Sequence, residues 1–372
     1  MKDIVIENYN FWEQKVAFFL KDSFWDPFVH KENLERIAKH NNLDIHLFDI
    51  KNNKVFWRHI FYMYPNEFEK YYIENEGEYA KYYNSILEYV RNNNIKVCIF
   101  FWNVTWWHDS FLNEVRKECI IASYIVDDDV EEVANRISRP YVRNFDWAFC
   151  WSVYFKWDEI LMKDKYIEWW AKSSDFIPLW LYVNKYDEDN SPDFINRDID
   201  LLYVWWIYFK KVLKIMKLKK HFWDRMKIYW RWWNGSTNVP KTLILKALKW
   251  YYDVGDIEEL PSDKFVEIYR RTKIGFNIHQ EYWPTNMRTY ELPANWAMLI
   301  CDNWKWLNEL FAVWKEAVSY EDIDEAIRKI EYYLENDEER RKIAEAGHKK
   351  AVNNYKMEQS FEKMVNLISR KK

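Results

Sequence analysis

An α/β fold of two Rossmann-like, parallel-sheet domains is what the sequence predicts, on three observations. Short apolar runs alternate with helical patterns from one end of the chain to the other, as strands joined by helical crossovers require. The alternation stops once, over residues 186–193, where acidic residues, Asn, Ser and Pro make a linker. With 372 residues, 49% of them apolar, the chain has material for two cores. The expected division is a first domain over 1–185, a linker over 186–198, a second domain over 199–355 and a terminal helix over 356–372 that packs back on the first domain.

In the first half the expected strands are Val16–Leu20, Asp44–Ile50, Lys96–Phe101, Cys119–Val126, Phe145–Cys150 and Phe176–Tyr182, with helices over Glu67–Arg91 and Asp109–Lys117. The second series runs Ile199–Val204, Met226–Tyr229, Ile274–Ile278, Ala297–Cys301 and Ala317–Tyr320. Pro261 and Ser262 read as the start of a helix over Asp263–Lys273, with Ser262 as its cap. Asn336 followed by Glu339 resembles a capping box before Arg340–Ala346. Apolar residues at 357, 361, 364, 365 and 368 form one face of the last helix, which therefore needs a partner surface.

Composition removes several function classes. Basic and acidic residues number 55 and 59, without a polybasic tail, which disfavours nucleic-acid binding. No run approaches the length of a spanning helix, and the first residues show no signal-peptide pattern, so a cytoplasmic protein is expected. The cysteines at 98, 119, 150 and 301 lie in apolar runs, as reduced core thiols do.

The chain carries 24 Trp and 5 Gly. At the usual glycine frequency of roughly 7% a chain this long would hold about 26 glycines. Trp205, Trp206, Trp232, Trp233, Trp304 and Trp306 stand at strand ends and turns, where a positive φ or a close backbone approach calls for glycine. Many of these positions are therefore expected to be glycine in the functional protein, as happens when a gene that reads UGA as glycine is translated with UGA as tryptophan. The alternative is a Trp-rich chain whose indoles serve as sugar or base platforms.

The densest set of polar residues lies between Ile274 and Asp302. A buried strand ends at Asn277 and His279, a loop follows, and Thr285 and Asn286 open a helix. That arrangement brings polar groups and helix amides to the carboxyl edge of a parallel sheet, a place suited to a diphosphate. Arg288, one turn in, is placed to clamp phosphate oxygens, and Glu291 to accept from ribose hydroxyls. The same spacing equally suits an i,i+3 surface pair.

In order and spacing, residues 286–302, Leu307–Phe311, Lys315–Val318 and Tyr332–Arg340 resemble the carboxyl half of spore-maturation-protein-type glycosyltransferases, which are family-1-like and have the GT-B fold. The resemblance is strong over about 199–355. Over 1–185 only the alternating pattern and Ser123–Asp129 share it. It implies a cytoplasmic transferase that moves a sugar from a nucleotide-sugar to a hydroxyl of a glycan, cell-surface or protein acceptor, by positioning and by stabilising the departing diphosphate, without cofactor or metal. The donor set it implies is Trp205, Tyr208, Lys210, Asn277, His279, Thr285, Asn286, Arg288, Thr289 and Glu291. Glu291 matches the second glutamate of a Glu, seven residues, Glu pattern, whereas the first position is Trp283 here. The family has glycine where this chain has Trp205, Trp296, Trp306 and Trp314.

In the first domain His108 and Asp109 follow a strand and open a helix, so either is placed to act as the base toward an acceptor, with helix capping by Asp109 as the alternative. Asp127, Asp128 and Asp129 invite a metal reading, which the resemblance disfavours. The lysines at 210, 211, 214, 217, 219 and 220 read as a solvated helix face, or as a peripheral attraction to anionic lipid. A non-catalytic nucleotide-sugar or carbohydrate binding protein of the same fold is the alternative function, favoured by Trp283.

Overall fold

The computed structural model describes residues 5–9, 14–20, 31–49, 63–101, 107–126, 128, 131–155, 160–182, 186, 194, 196–204, 209–229, 251, 261, 264–279, 286–302 and 307–369. The chain divides into two units. One comprises Met1–Pro178 with Met357–Lys372, the other Leu179–Lys356. The division falls ahead of the 186–198 segment expected to join the halves.

The first unit holds a seven-stranded sheet in the order β1-β3-β2-β4-β5-β6-β7. The strands are β1 (Val5–Tyr9), β2 (Gln14–Leu20), β3 (Leu43–Asp49), β4 (Val97–Phe101), β5 (Ile120–Ile125), β6 (Trp147–Cys150) and β7 (Ser174–Phe176). All neighbours pair in parallel except β1, which runs antiparallel along β3 at the edge. Its five residues carry no pattern that marks a strand before its partner is known. The expected strand Phe176–Tyr182 is instead the short Ser174–Phe176, because Pro178 cannot donate to a ladder.

Helices α1 (Lys31–Asn41), α2 (Pro65–Glu74), α3 (Glu76–Asn92), α4 (Asp109–Glu118), α5 (Glu131–Ile137) and α6 (Met162–Glu168) accompany these strands. The single helix expected over Glu67–Arg91 is two, since Asn75 ends one and caps the next. In α3 the buried set Tyr79, Tyr82, Tyr83, Ile86, Leu87 and Val90 forms one helical stripe against the core.

The second unit holds a five-stranded, wholly parallel sheet in the order β12-β11-β10-β8-β9. Its strands are β8 (Ile199–Val204), β9 (Met226–Tyr229), β10 (Thr272–Asn277), β11 (Met298–Asp302) and β12 (Val318–Tyr320). The helices are α7 (Phe209–Phe222), α8 (Phe265–Arg270), α9 (Met287–Ala294), α10 (Leu307–Leu310), α11 (Ile323–Glu335) and α12 (Asp337–Asn354). Helix α8 is shorter than the expected Asp263–Lys273, because Thr272 and Lys273 already pair in β10, and Ser262 lies outside the described residues. Asn336 precedes α12 without a side-chain cap bond; its amide returns to the Tyr332 carbonyl, and Glu339 accepts from the Tyr332 hydroxyl.

The last helix, α13 (Met357–Ser369), belongs to the first unit. It buries Met357, Phe361, Met364 and Ile368. Phe361 stacks on Phe101 at 5.5 Å, and the Glu358 carbonyl accepts from Asn41 of α1 at 3.1 Å.

Among the described residues, six other than glycine have φ in the left-handed region: Asn42, Asn94, Trp170, Trp223, Trp296 and Trp314. An indole there is unusual, because its Cβ crowds the following carbonyl. Two of these tryptophans close helices in one particular way. Past α6, Trp170 donates its amide to Ile167 and Ala171 to Tyr166; past α9, Trp296 donates to Pro293 and Ala297 to Leu292. These are Schellman ends, with tryptophan where glycine is usual and φ of 75° and 63°. Asn94, of the residue type that also tolerates this conformation, closes α3 in the same way. Trp205, Trp206, Trp232, Trp233, Trp304 and Trp306 lie outside the described residues.

Candidate functional site

In the second unit the chain passes from β8 to β9 on one side and then from β9 to β10 on the other side of β8, so the carboxyl ends of β8 and β10 flank a topological switch point. Gly275 in β10 fixes how closely α9 lies on the strand, for a Cβ there would stand 2.5 Å from Leu292. That close seat brings the start of α9 to the strand ends, beside Asn277 and His279.

The resulting polar network is buried. Both oxygens of Asp302, at the end of β11, accept from the His279 amide at 3.1 Å, and Oδ1 lies 2.6 Å from His279 Nδ1. His279 Nε2 faces the Thr289 hydroxyl at 2.9 Å and Asn277 Nδ2 at 3.1 Å. Asn277 Oδ1 accepts from Arg288 Nε at 3.0 Å and from Asn286 Nδ2 at 3.2 Å. Asn286 caps α9 by accepting from the Arg288 amide at 3.1 Å, so that amide is already occupied. Glu291 is buried and accepts from the Tyr269 hydroxyl at 3.2 Å.

Two cationic side chains are buried here. Arg288 is 2% exposed and Lys211 6%. Lys211 Nζ donates to the Ile278 carbonyl at 2.6 Å. Burial, aided by the nearby Arg288 charge and opposed by Asp302, pulls its ammonium down to about 7. Burial likewise lowers His279 below its ordinary value, against the opposing pull of Asp302, with Lys211 and Arg288 reinforcing the drop. Burying a charge is costly, and two cationic side chains buried side by side repel each other, so this pairing is the feature of the edge that best suits an anion.

The structure thus brings together Asn277, His279, Asn286, Arg288, Thr289 and Glu291. Trp205, Tyr208 and Thr285 lie outside the described residues; Lys210 is in α7, with its side chain likewise outside them. Lys211 and Asp302 were absent from the expected set. In the run of lysines only the phase of α7 distinguishes Lys211, buried with Val212, Ile215 and Met216, from exposed Lys214, Lys217 and Lys220. Asp302 signalled itself only by ending a strand beside β10.

In the first unit His108, rather than Asp109, is the cap of α4, accepting from the Ser110 amide. Its ring stacks on Tyr72 at 3.8 Å and its Nε2 lies 3.1 Å from Glu69. Asp109 accepts from Asn144 at 2.6 Å. Asp128 is buried and hydrogen-bonded to Tyr166, and burial raises its carboxyl to about 6; Asp127 and Asp129 lie outside the described residues.

Comparison with solved structures identifies the architecture. Sucrose-phosphate synthase from Thermosynechococcus elongatus superposes with a TM-score of 0.65 at 10% identity, covering 96% of this chain and 99% of that one. A Rickettsia africae glycosyltransferase gives 0.63 at 11%, covering 95% and 97%. Anabaena HepE, solved with UDP and glucose, gives 0.62 at 9%, covering 96% and 100%.

The fold is GT-B.

Within this GT-B chain, residues 219–366 match the family model described as glycosyl transferase-like, which takes in β10, α9, β11 and the network between them. No curated protein sequence matches the chain. Among the described residues of the GT-B units, no helix is long and apolar enough to cross a membrane.

Proposed function

We propose that the chain is a glycosyltransferase whose second unit holds a nucleotide-sugar by its diphosphate at the carboxyl edge of β8 and β10. The observation that carries this reading is the burial of Lys211 and Arg288 together at that edge; Arg288 lies within the segment that matches the glycosyl transferase-like model and Lys211 eight residues ahead of it. Arg288 offers a planar fork to phosphate oxygens and Lys211 a point charge. Asn286 and Thr289, with Trp205, Tyr208, Lys210 and Thr285, surround the donor, and Glu291 takes the ribose. The catalytic contribution is stabilisation of negative charge as the diphosphate leaves. On the acceptor side His108, with Asp109 next to it, is the base proposed to take the hydroxyl proton. The buried, unbridged cysteines support a cytoplasmic setting. Lys214 and Lys220 suit contact with anionic lipid where the acceptor of a cell-surface glycan is membrane-borne.

HepE and an α-glucosyltransferase similar in fold were both solved with UDP-glucose, which makes it the first donor to test. The experiment is release of UDP from UDP-glucose, with GDP- and ADP-sugars alongside, over a panel of acceptors. Turnover that Arg288→Ala abolishes is expected. Trp283, where related transferases carry a glutamate, favours a second reading as a non-catalytic nucleotide-sugar binder. Donor binding without turnover over the whole panel would select it.

A further inference from the structure

The network around His279 has one consistent assignment of protons. Asp302 Oδ1 also takes the His279 backbone amide, so it acts as an acceptor, and the ring proton sits on Nδ1. Nε2 is then an acceptor and takes N–H from Asn277 and O–H from Thr289. With its Nδ2 directed to His279, the Asn277 amide turns Oδ1 toward Arg288 Nε and Asn286 Nδ2, both of which can only donate. The reverse amide orientation would set donor against donor at both. A proton on Nε2 instead of Nδ1 would set the bare Nδ1 lone pair against the Asp302 carboxylate at 2.6 Å and the Nε2–H against the Asn277 amide N–H at 3.1 Å.

We propose that Asp302 and His279 are positioning residues that, through Asn277, hold the Arg288 guanidinium in the orientation in which it meets the donor diphosphate. The inference rests on the donor reading above and adds residues that touch neither donor nor acceptor. The His279 ring is closed off from solvent, with both nitrogens engaged by protein groups, which suits support of a neighbour rather than contact with a ligand. Charges face it from three elements: Asp302 from β11, Lys211 from α7 and Arg288 from α9. The Tyr320 hydroxyl of β12 fixes the same strand end by donating to the Asn277 carbonyl at 3.1 Å. Arg288 has a long side chain that loses rotamer freedom on binding an anion, and a fixed partner on Nε removes that cost before the ligand arrives.

Calorimetric titration of UDP into the full chain tests this, with GDP and ADP run in parallel so that the tightest binder carries the series. For a charge-assisted hydrogen bond Arg288→Ala is expected to weaken binding about 100-fold, and His279→Ala and Asp302→Ala about 10-fold each. His279→Gln can return an acceptor to the Nε2 position and is expected within about threefold of the unsubstituted chain. Wild-type affinity in His279→Ala and Asp302→Ala, with binding lost in Arg288→Ala, overturns the relay and leaves the donor reading standing. No rescue by His279→Gln also overturns it. Unchanged binding in Arg288→Ala, or no nucleotide bound by the unsubstituted chain, removes the donor reading and the relay together. Long-range ¹H–¹⁵N imidazole spectra of the unsubstituted chain need no variant: the Nδ1–H tautomer of His279 supports the relay and the Nε2–H tautomer overturns it.

Discussion

Lys211 Nζ donates to the Ile278 carbonyl at 2.6 Å, one residue before the imidazole that Asp302 holds. This bond seats a charged side chain from the start of α7 against the end of β10, inside the protein. Burial pulls the ammonium from its usual 10.5 to about 7, so between those values the unfolded chain carries a proton that the folded chain lacks. Stability of the unliganded protein should therefore rise with pH from about 7 to about 10.5 through this group. A bound diphosphate favours the charged form, so binding should take up a proton. We expect UDP affinity to fall by up to about tenfold per pH unit between pH 7 and pH 9. Titration in buffers of different ionisation enthalpy counts the proton; Lys211→Met should abolish the uptake.

The Schellman end at Trp170 makes a clean test of the tryptophan excess, since the indole is 80% exposed and stabilises little by packing. Trp170→Gly should gain about 1 kcal/mol by relieving the left-handed conformation, whereas Trp170→Ala, which keeps a Cβ, should gain nothing comparable. Chemical denaturation measures both. The gene should carry UGA at positions 170, 296 and 314; UGG at these codons would remove the explanation from reassigned coding.

Gly347 and Gly77 should respond oppositely to alanine. A Cβ at Gly347, inside α12, would lie 2.5 Å from the Glu316 carbonyl and 3.3 Å from Pro293, whereas a Cβ at Gly77 in α3 meets nothing within 4 Å. Gly347→Ala should cost about 1–3 kcal/mol, because backbone must move. Gly77→Ala should gain up to about 1 kcal/mol, because glycine is a poor helix former. Thermal unfolding of the two variants distinguishes them.

Phe361 ties the last helix to the first unit through its stack on Phe101. Phe361→Ala should destabilise that unit by about 3 kcal/mol, since the ring is 1% exposed. Hydrogen exchange should show protection lost first in α1 and α13, which share this contact surface, with the second unit unchanged.

Legibility in the sequence followed how local each feature is. The strands around Leu201, Phe276 and Ile300 are buried on both faces, so their apolar runs announced them. The edge strand Val5–Tyr9 owes its existence to β3, forty residues away, and nothing local marks it. Asn75 breaks a helix without proline or glycine, a position where capping and continuation look alike in sequence. In the candidate site, Asn277, His279 and Arg288 were legible because strand ends and helix starts are where parallel sheets display polar groups. Lys211 and Asp302 were not. One depends on the phase of a helix, the other on the register of β11 beside β10, and both are fixed only by tertiary packing.

The central claim is that the diphosphate of a nucleotide-sugar sits at the carboxyl edge of β8 and β10. A crystal structure of the full chain with UDP tests it most directly. Phosphate oxygens about 3 Å from both Arg288 and Lys211 are predicted. UDP bound elsewhere, with those two side chains still facing only protein groups, would contradict it.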